Sequence, residues 1–79
     1  MVQIRVEYFA ILREHVGCTH ESLSTSAATV ADLYAELDRR HVFPALGRLK
    51  VAVNDEFCDW SAPLRDGDSV VFIPPVAGG

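Results

Sequence analysis

An α+β domain, with one mixed sheet packed against a single main helix, is what three stretches of this sequence predict. Val2, Ile4, Val6 and Tyr8 alternate with Gln3, Arg5 and Glu7, the period of two that marks a half-buried strand. Val30, Leu33, Tyr34 and Leu37 recur at helical spacing and line one face of an amphipathic helix. Ser69-Val70-Val71-Phe72-Ile73 is an almost unbroken apolar run, the pattern of a strand in the middle of a sheet. A sheet face this rich in Val, Ile and Phe has to be covered, and the long amphipathic helix is the element suited to cover it.

Each element can be justified in turn. After the first strand, Phe9, Leu12 and Val16 fall at helical spacing and Gly17 is placed to stop the run, which predicts one to two turns of helix. The weakly patterned, mostly polar stretch from His20 to Thr25 is expected to form a strand near an edge, antiparallel to the first. Thr29, with Asp32 three residues on, has the chemistry of an N-cap. The main helix is expected to end near Arg39, Arg40 and His41, whose side chains suit a C-terminus. Residues 42–47 form an irregular apolar connection from which Phe43 and Leu46 are expected to fold back onto the core.

Leu49, Val51 and Val53 alternate again, Asn54-Asp55 supplies turn chemistry, and Glu56-Phe57-Cys58 is expected to return as a short strand. Trp60, in the connection that follows, is expected to cover one edge of the core. Within Pro63-Leu64-Arg65-Asp66-Gly67-Asp68, Gly67 is the residue able to take a positive φ without penalty. Pro74-Pro75 ends the last strand, because neither proline can donate a ladder hydrogen bond and both favour extended backbone. If the first and last strands are neighbours at the centre of the sheet, their pairing is parallel; periodicity alone leaves that open.

With 79 residues, 49% of them apolar and 23% charged, the chain has the size and composition of one folded unit with one core. Eleven acidic side chains against seven basic ones give a net charge of −4, the wrong sign for a nucleic-acid surface but compatible with a basic protein partner. Two cysteines, Cys18 and Cys58, are too few for a secreted disulfide framework, and are read as reduced thiols. The spacings of His15, His20 and His41 match no standard zinc pattern, so no metal is expected. The N-terminus carries no basic segment followed by a long apolar one, and no apolar run is long enough to cross a bilayer; a cytoplasmic location without membrane contact is expected.

Conventional catalytic groups are hard to find. The serines have no nucleophile-elbow context and the histidines belong to no identifiable triad. The adjacent carboxylates of Asp55-Glu56 and Asp66-Gly67-Asp68 suit turns rather than a pair facing across a cleft. The tail Val76-Ala77-Gly78-Gly79 is different, because its reactive group would be the α-carboxylate of Gly79 itself. A segment without bulky side chains can thread a narrow channel in another protein. On the glycines alone, a frayed end remains the competing reading.

Val6-Glu7-Tyr8-Phe9-Ala10-Ile11-Leu12-Arg13-Glu14, Thr29-Val30-Ala31-Asp32-Leu33, Val51-Ala52-Val53-Asn54 and the whole run from Pro63 to Gly79 resemble the small subunit of molybdopterin synthase. That resemblance implies a β-grasp, ubiquitin-like domain over residues 1–75 and a flexible reactive tail over residues 76–79. It implies a sulfur carrier, itself without catalytic machinery, whose Gly79 carboxylate is adenylated by an E1-like enzyme that consumes ATP. Sulfur from a persulfide donor then gives a thiocarboxylate. The large catalytic subunit, in a heterotetramer, uses it to convert cyclic pyranopterin monophosphate into the dithiolene of molybdopterin. No permanently bound cofactor is expected.

Carried onto this chain, Gly79 would bear the adenylate and then the sulfur, Gly78 would allow close passage through the partner, and Pro74 and Pro75 would hold the tail away from the sheet. Phe9 and Phe72 are candidate apolar contacts with a partner, each with an ordinary core role as the alternative. Arg13 and Arg65 are candidate rim charges, with plain solvation as theirs. Val76-Ala77 departs from the Val-Thr expected before the glycines. A thiamine-type sulfur carrier, a lysine-conjugated protein modifier and a purely structural binding module are the competing functions.

Overall fold

A computed structural model describes residues 1–9, 11–41 and 49–74, the side chain of Ile11 excepted. The elements follow in the order β1 (Val2–Tyr8), α1 (Ile11–Val16), β2 (His20–Thr25), α2 (Val30–His41), β3 (Lys50–Val53), β4 (Glu56–Phe57) and β5 (Ser69–Ile73). The strands form one sheet in the order β2-β1-β5-β3-β4. β1 and β2 are antiparallel and joined through α1, and β2 lies at the edge as expected. β5 sits at the centre, parallel to β1 from Arg5↔Ser69 to Tyr8↔Phe72 and antiparallel to β3 from Lys50↔Ile73 to Val53↔Val70. The parallel pairing that periodicity left open is therefore present.

Alternation along the strands sends one set of side chains under α2. Ile4, Val6 and Tyr8 of β1, Leu23 of β2, Val51 of β3 and Val70 and Phe72 of β5 join Val30, Leu33 and Leu37 of α2 in a single core, with Leu12 of α1 closing one end. Thr29 caps α2, its Oγ1 accepting from the Asp32 N–H at 3.2 Å. Tyr34 and Trp60 roof the core over Phe72. Trp60 stacks on the Phe72 ring at 6.0 Å, and Tyr34 meets both rings edge-on at 5.3 and 5.4 Å. Trp60 thus covers the core from the 59–63 connection.

Two turns set the register of the sheet. Asn54 and Asp55 both take positive φ, 51° and 70°, as the two-residue connection between paired Val53 and Glu56 requires. The 65–68 turn ties three strands together: Gly67, with φ 88°, donates to the Gln3 carbonyl at 2.8 Å. Asp66 Oδ1 accepts from the Gln3 N–H at 2.8 Å, and Asp68 accepts from the Arg65 N–H at 2.8 Å and from Asn54 Nδ2 at 3.0 Å. These carboxylates are occupied in holding the turn.

Three details differ from the sequence reading. α1 begins at Ile11 and buries Leu12, but Phe9 lies before it and is 55% exposed, because the chain must first turn out of β1. β4 ends at Phe57, and Cys58 falls outside it. Phe72 has no accessible side-chain surface; it belongs to the core, and its alternative role as a partner contact is withdrawn. The expected fold-back of Phe43 and Leu46 lies outside the described residues.

Candidate functional site

The register decides which residues surround the point where the chain leaves the sheet. β5 ends at Ile73 and continues into half-buried Pro74. Because β1 is parallel to β5, its C-terminal end, Tyr8 and then Phe9, lies at that same end of the sheet. β2 and β3 run the other way, so their first residues, His20 and Lys50, arrive there too. The chain thus reaches its C-terminal residues from the central strand of the sheet, paired on both sides.

On the face turned away from α2, the pairings Glu7↔Val71, Ala52↔Val71 and Ala52↔Phe57 place these side chains in one row. Ile73 is the next outward position of β5, half-buried like Val71, and Phe57 is 70% exposed. With exposed Phe9 beyond Tyr8, this makes an uncovered apolar strip from β4 to the C-terminal end of β5. The sequence reading took the β5 run as wholly interior and did not single out Val71, Ile73 or Phe57. Strict alternation applied within that run would have exposed the second face.

The candidate residues are unevenly placed around this end. Phe9 stands beside it. Arg13 is exposed on α1, the short helix that leaves the same end of β1. Arg65 lies at the opposite end of β5, in the turn preceding Ser69, and the strand length separates it from Ile73 by roughly 15 Å. Pro75, Gly78 and Gly79 lie outside the described residues.

Beneath the strip is a polar knot where β1, β2, α1 and α2 converge. The buried Tyr8 hydroxyl donates to Glu21 Oε1 at 2.6 Å, His41 Nε2 lies 3.3 Å from the same oxygen, and His15 Nε2 lies 2.8 Å from the His41 carbonyl oxygen. Burial pushes the Tyr8 phenol well above its ordinary range, reinforced by the neighbouring carboxylate. Burial also opposes ionisation of Glu21, but the hydrogen bonds from Tyr8 and His41 and the charges of His41 and Arg40 outweigh it and hold that carboxyl below its ordinary value. A tyrosine kept protonated and a carboxylate kept ionised make a structural lock between the end of α2 and the sheet.

Nothing else supplies a reactive centre among the described residues. Cys18 and Cys58 are free and half-buried, and burial, with the Asp59 charge, pushes the Cys58 thiol up, away from the thiolate a nucleophile needs. Among the described residues, no group of His, Cys, Asp or Glu is arranged to hold a metal ion, and no helix is long and apolar enough to cross a membrane.

A small mixed sheet wrapped over one main helix, with the C-terminal strand at its centre, defines the β-grasp, ubiquitin-like class. The ThiS family profile matches residues 6–79, through to the last glycine. The molybdopterin synthase sulfur carrier subunit of Escherichia coli is 39% identical over 96% of this chain and 99% of its own. Among solved structures, small archaeal modifier protein 1 from Methanosarcina acetivorans superposes with a TM-score of 0.82 at 26% identity, covering 100% of this chain and 98% of that one. A chain in a protein-protein complex of subunits 1 and 2 of the molybdopterin-converting factor of Helicobacter pylori superposes at 0.71 with 29% identity, over 99% of this chain and 100% of its own. The chain belongs to the ThiS family and is of the molybdopterin synthase sulfur carrier type.

Proposed function

We propose that the working group of this protein is the Gly79 carboxylate, and that the folded domain exists to present it. An E1-like enzyme joins that carboxylate to the α-phosphate of ATP, releasing pyrophosphate. The terminal sulfur of a persulfide donor then displaces AMP to give an acyl disulfide, a thiol reductant cleaves its S–S bond and is itself oxidised to a disulfide, and the resulting thiocarboxylate enters the large subunit of molybdopterin synthase. There it supplies sulfur to cyclic pyranopterin monophosphate in forming the dithiolene. The observation that carries this reading is the family match through Gly79, on a chain whose last strand is the central one.

Physical chemistry supports the division of labour. The residues after Ile73 reach at most roughly 20 Å when extended, enough to carry a terminal carbonyl into another protein's interior. Pro74 and Pro75 favour an extended start to that segment, which lessens the ordering entropy on insertion, and Gly78 leaves room for close backbone approach. The apolar strip of Phe9, Val71 and Ile73 beside the exit is the docking face for the large subunit, with Arg13 at its rim. The complex of subunits 1 and 2 in Helicobacter pylori, one chain of which this protein resembles, supports a partner of that kind, and a heterotetramer and a cytoplasmic setting accompany the reading. The names of the curated relatives favour the molybdopterin destination over a thiazole-forming one.

Deletion of Gly79 tests this reading. It should leave the circular dichroism spectrum and urea midpoint unchanged while abolishing dithiolene formation in a reconstituted mixture of activating enzyme, sulfur donor and large subunit. Retained dithiolene formation by the shortened chain would defeat it.

A further inference from the structure

A net charge of −4 favours a basic partner, but the sheet face turned away from α2 departs from that average. The Lys, Arg, Asp and Glu residues at its strand positions are Arg5, Glu7 and Lys50. That is two cations to one acid, on a chain with seven cations to eleven acids. None of the three forms an ion pair among the described residues.

Lys50 is exposed and pairs with Ile73, where the chain leaves the sheet. Its Nζ lies 5.9 Å from the centre of the Phe57 ring, a cation–π contact that holds the ammonium at the edge of the apolar strip. Asp59 lines the same open groove without pairing with it. Glu7 is on β1, with β5 between it and Lys50. When a partner covers the strip, that ammonium loses water, a cost that an opposing carboxylate offsets and a basic surface aggravates.

Arg5 is exposed two residues before Glu7, with Ser22 opposite it on β2 and Ser69 on β5. A guanidinium fork with hydroxyl groups on both neighbouring strands suits a carboxylate held by two hydrogen bonds. We infer that the large subunit meets this face with acidic side chains, one carboxylate opposite Lys50 and one opposite Arg5, despite the chain's own negative charge. The inference rests on the docking face proposed above.

Isothermal titration of the full chain into the large subunit tests it, at low ionic strength and again in about 1 M salt. Lys50→Glu and Arg5→Glu, with circular dichroism confirming the fold, should each weaken binding by about tenfold or more at low ionic strength. Most of that loss should disappear in high salt. Arg39→Glu makes the same change in net charge from α2, on the other side of the sheet, and should alter affinity by less than about threefold. Unchanged or tighter binding by Lys50→Glu or Arg5→Glu, the outcome a basic partner surface would give, overturns the inference. An equal loss from Arg39→Glu, which would make the effect one of overall charge, overturns it too. In either case, weakening by Phe9→Ala in the same series leaves the docking face standing. Absence of binding by the unaltered chain, to a large subunit that binds a control carrier, overturns the docking face and the inference together.

Discussion

Replacing Phe72 by alanine should remove a large part of the domain's stability, and the size of the loss can be worked from its surroundings. The ring has no accessible surface, stacks on Trp60, and meets Tyr34 edge-on. Truncating a buried phenylalanine costs about 3–5 kcal/mol through lost transfer energy and the cavity left behind. A chain of 79 residues has a total stability of roughly 4–12 kcal/mol, so one substitution takes about a quarter of the margin or more. Urea unfolding followed through Trp60, the single tryptophan, is the assay. With a slope of about 1 kcal/mol per molar urea, the midpoint should drop by roughly 3 M or more. If Phe72→Ala is too unstable to measure, Phe72→Leu, which keeps most of the volume, should cost about 1–1.5 kcal/mol. Phe9→Ala, at an exposed position, should shift stability by no more than about 0.5 kcal/mol while weakening binding to the large subunit. A Phe72→Ala loss below about 1 kcal/mol, or a Phe9→Ala loss as large as that of Phe72→Ala, would refute the division between core and docking face.

Further expectations concern the turn, the cap and the polar knot. Gly67→Ala should cost about 1–2 kcal/mol from its positive φ alone, since no atom lies within 4 Å of where the Cβ would be; equilibrium unfolding measures it, and a neutral result would contradict the turn geometry. Thr29→Ala removes the cap on the Asp32 N–H and should cost about 1 kcal/mol, read in the same assay. Glu21 has a lowered folded pKa, so it adds stability above its unfolded value of about 4.3 and loses it as pH falls through the folded value. Tyr8→Phe deletes the hydrogen bond that most favours the carboxylate. Glu21 should then titrate at higher pH by NMR, and the acid limb of the stability curve should flatten. An unmoved titration would show that Tyr8 does not hold the pair together.

Much of the fold is legible in the sequence where one residue pattern has one physical outcome. Alternation in β1, the stripe of Val30, Leu33, Tyr34 and Leu37, and the glycine at position 67 each dictate local geometry, and the structure has all three. The parallel β1–β5 pairing is a tertiary choice: it depends on which strands meet, which periodicity does not encode. Phe9 fits the helical spacing of Leu12 and Val16, yet it is exposed because the turn out of β1 places it before the helix. Phe72 and Val71 are adjacent in an apolar run but point to opposite faces, so the run alone did not separate core from surface. Arg65 looked like a rim charge because sequence distance hides the length of β5 between it and the chain's exit. The carrier type was legible through resemblance rather than through any cluster of side chains, because no reactive cluster stands among the described residues.

Intact mass of the chain after incubation with ATP, the E1-like enzyme, a persulfide donor and a thiol reductant, followed by fragmentation of its last peptide, tests the carrier chemistry most directly. Exchange of one oxygen for sulfur, located at Gly79, is the predicted result. An unchanged mass, with enzyme and donor shown active on another carrier, would contradict the claim that this domain carries sulfur on its terminal glycine.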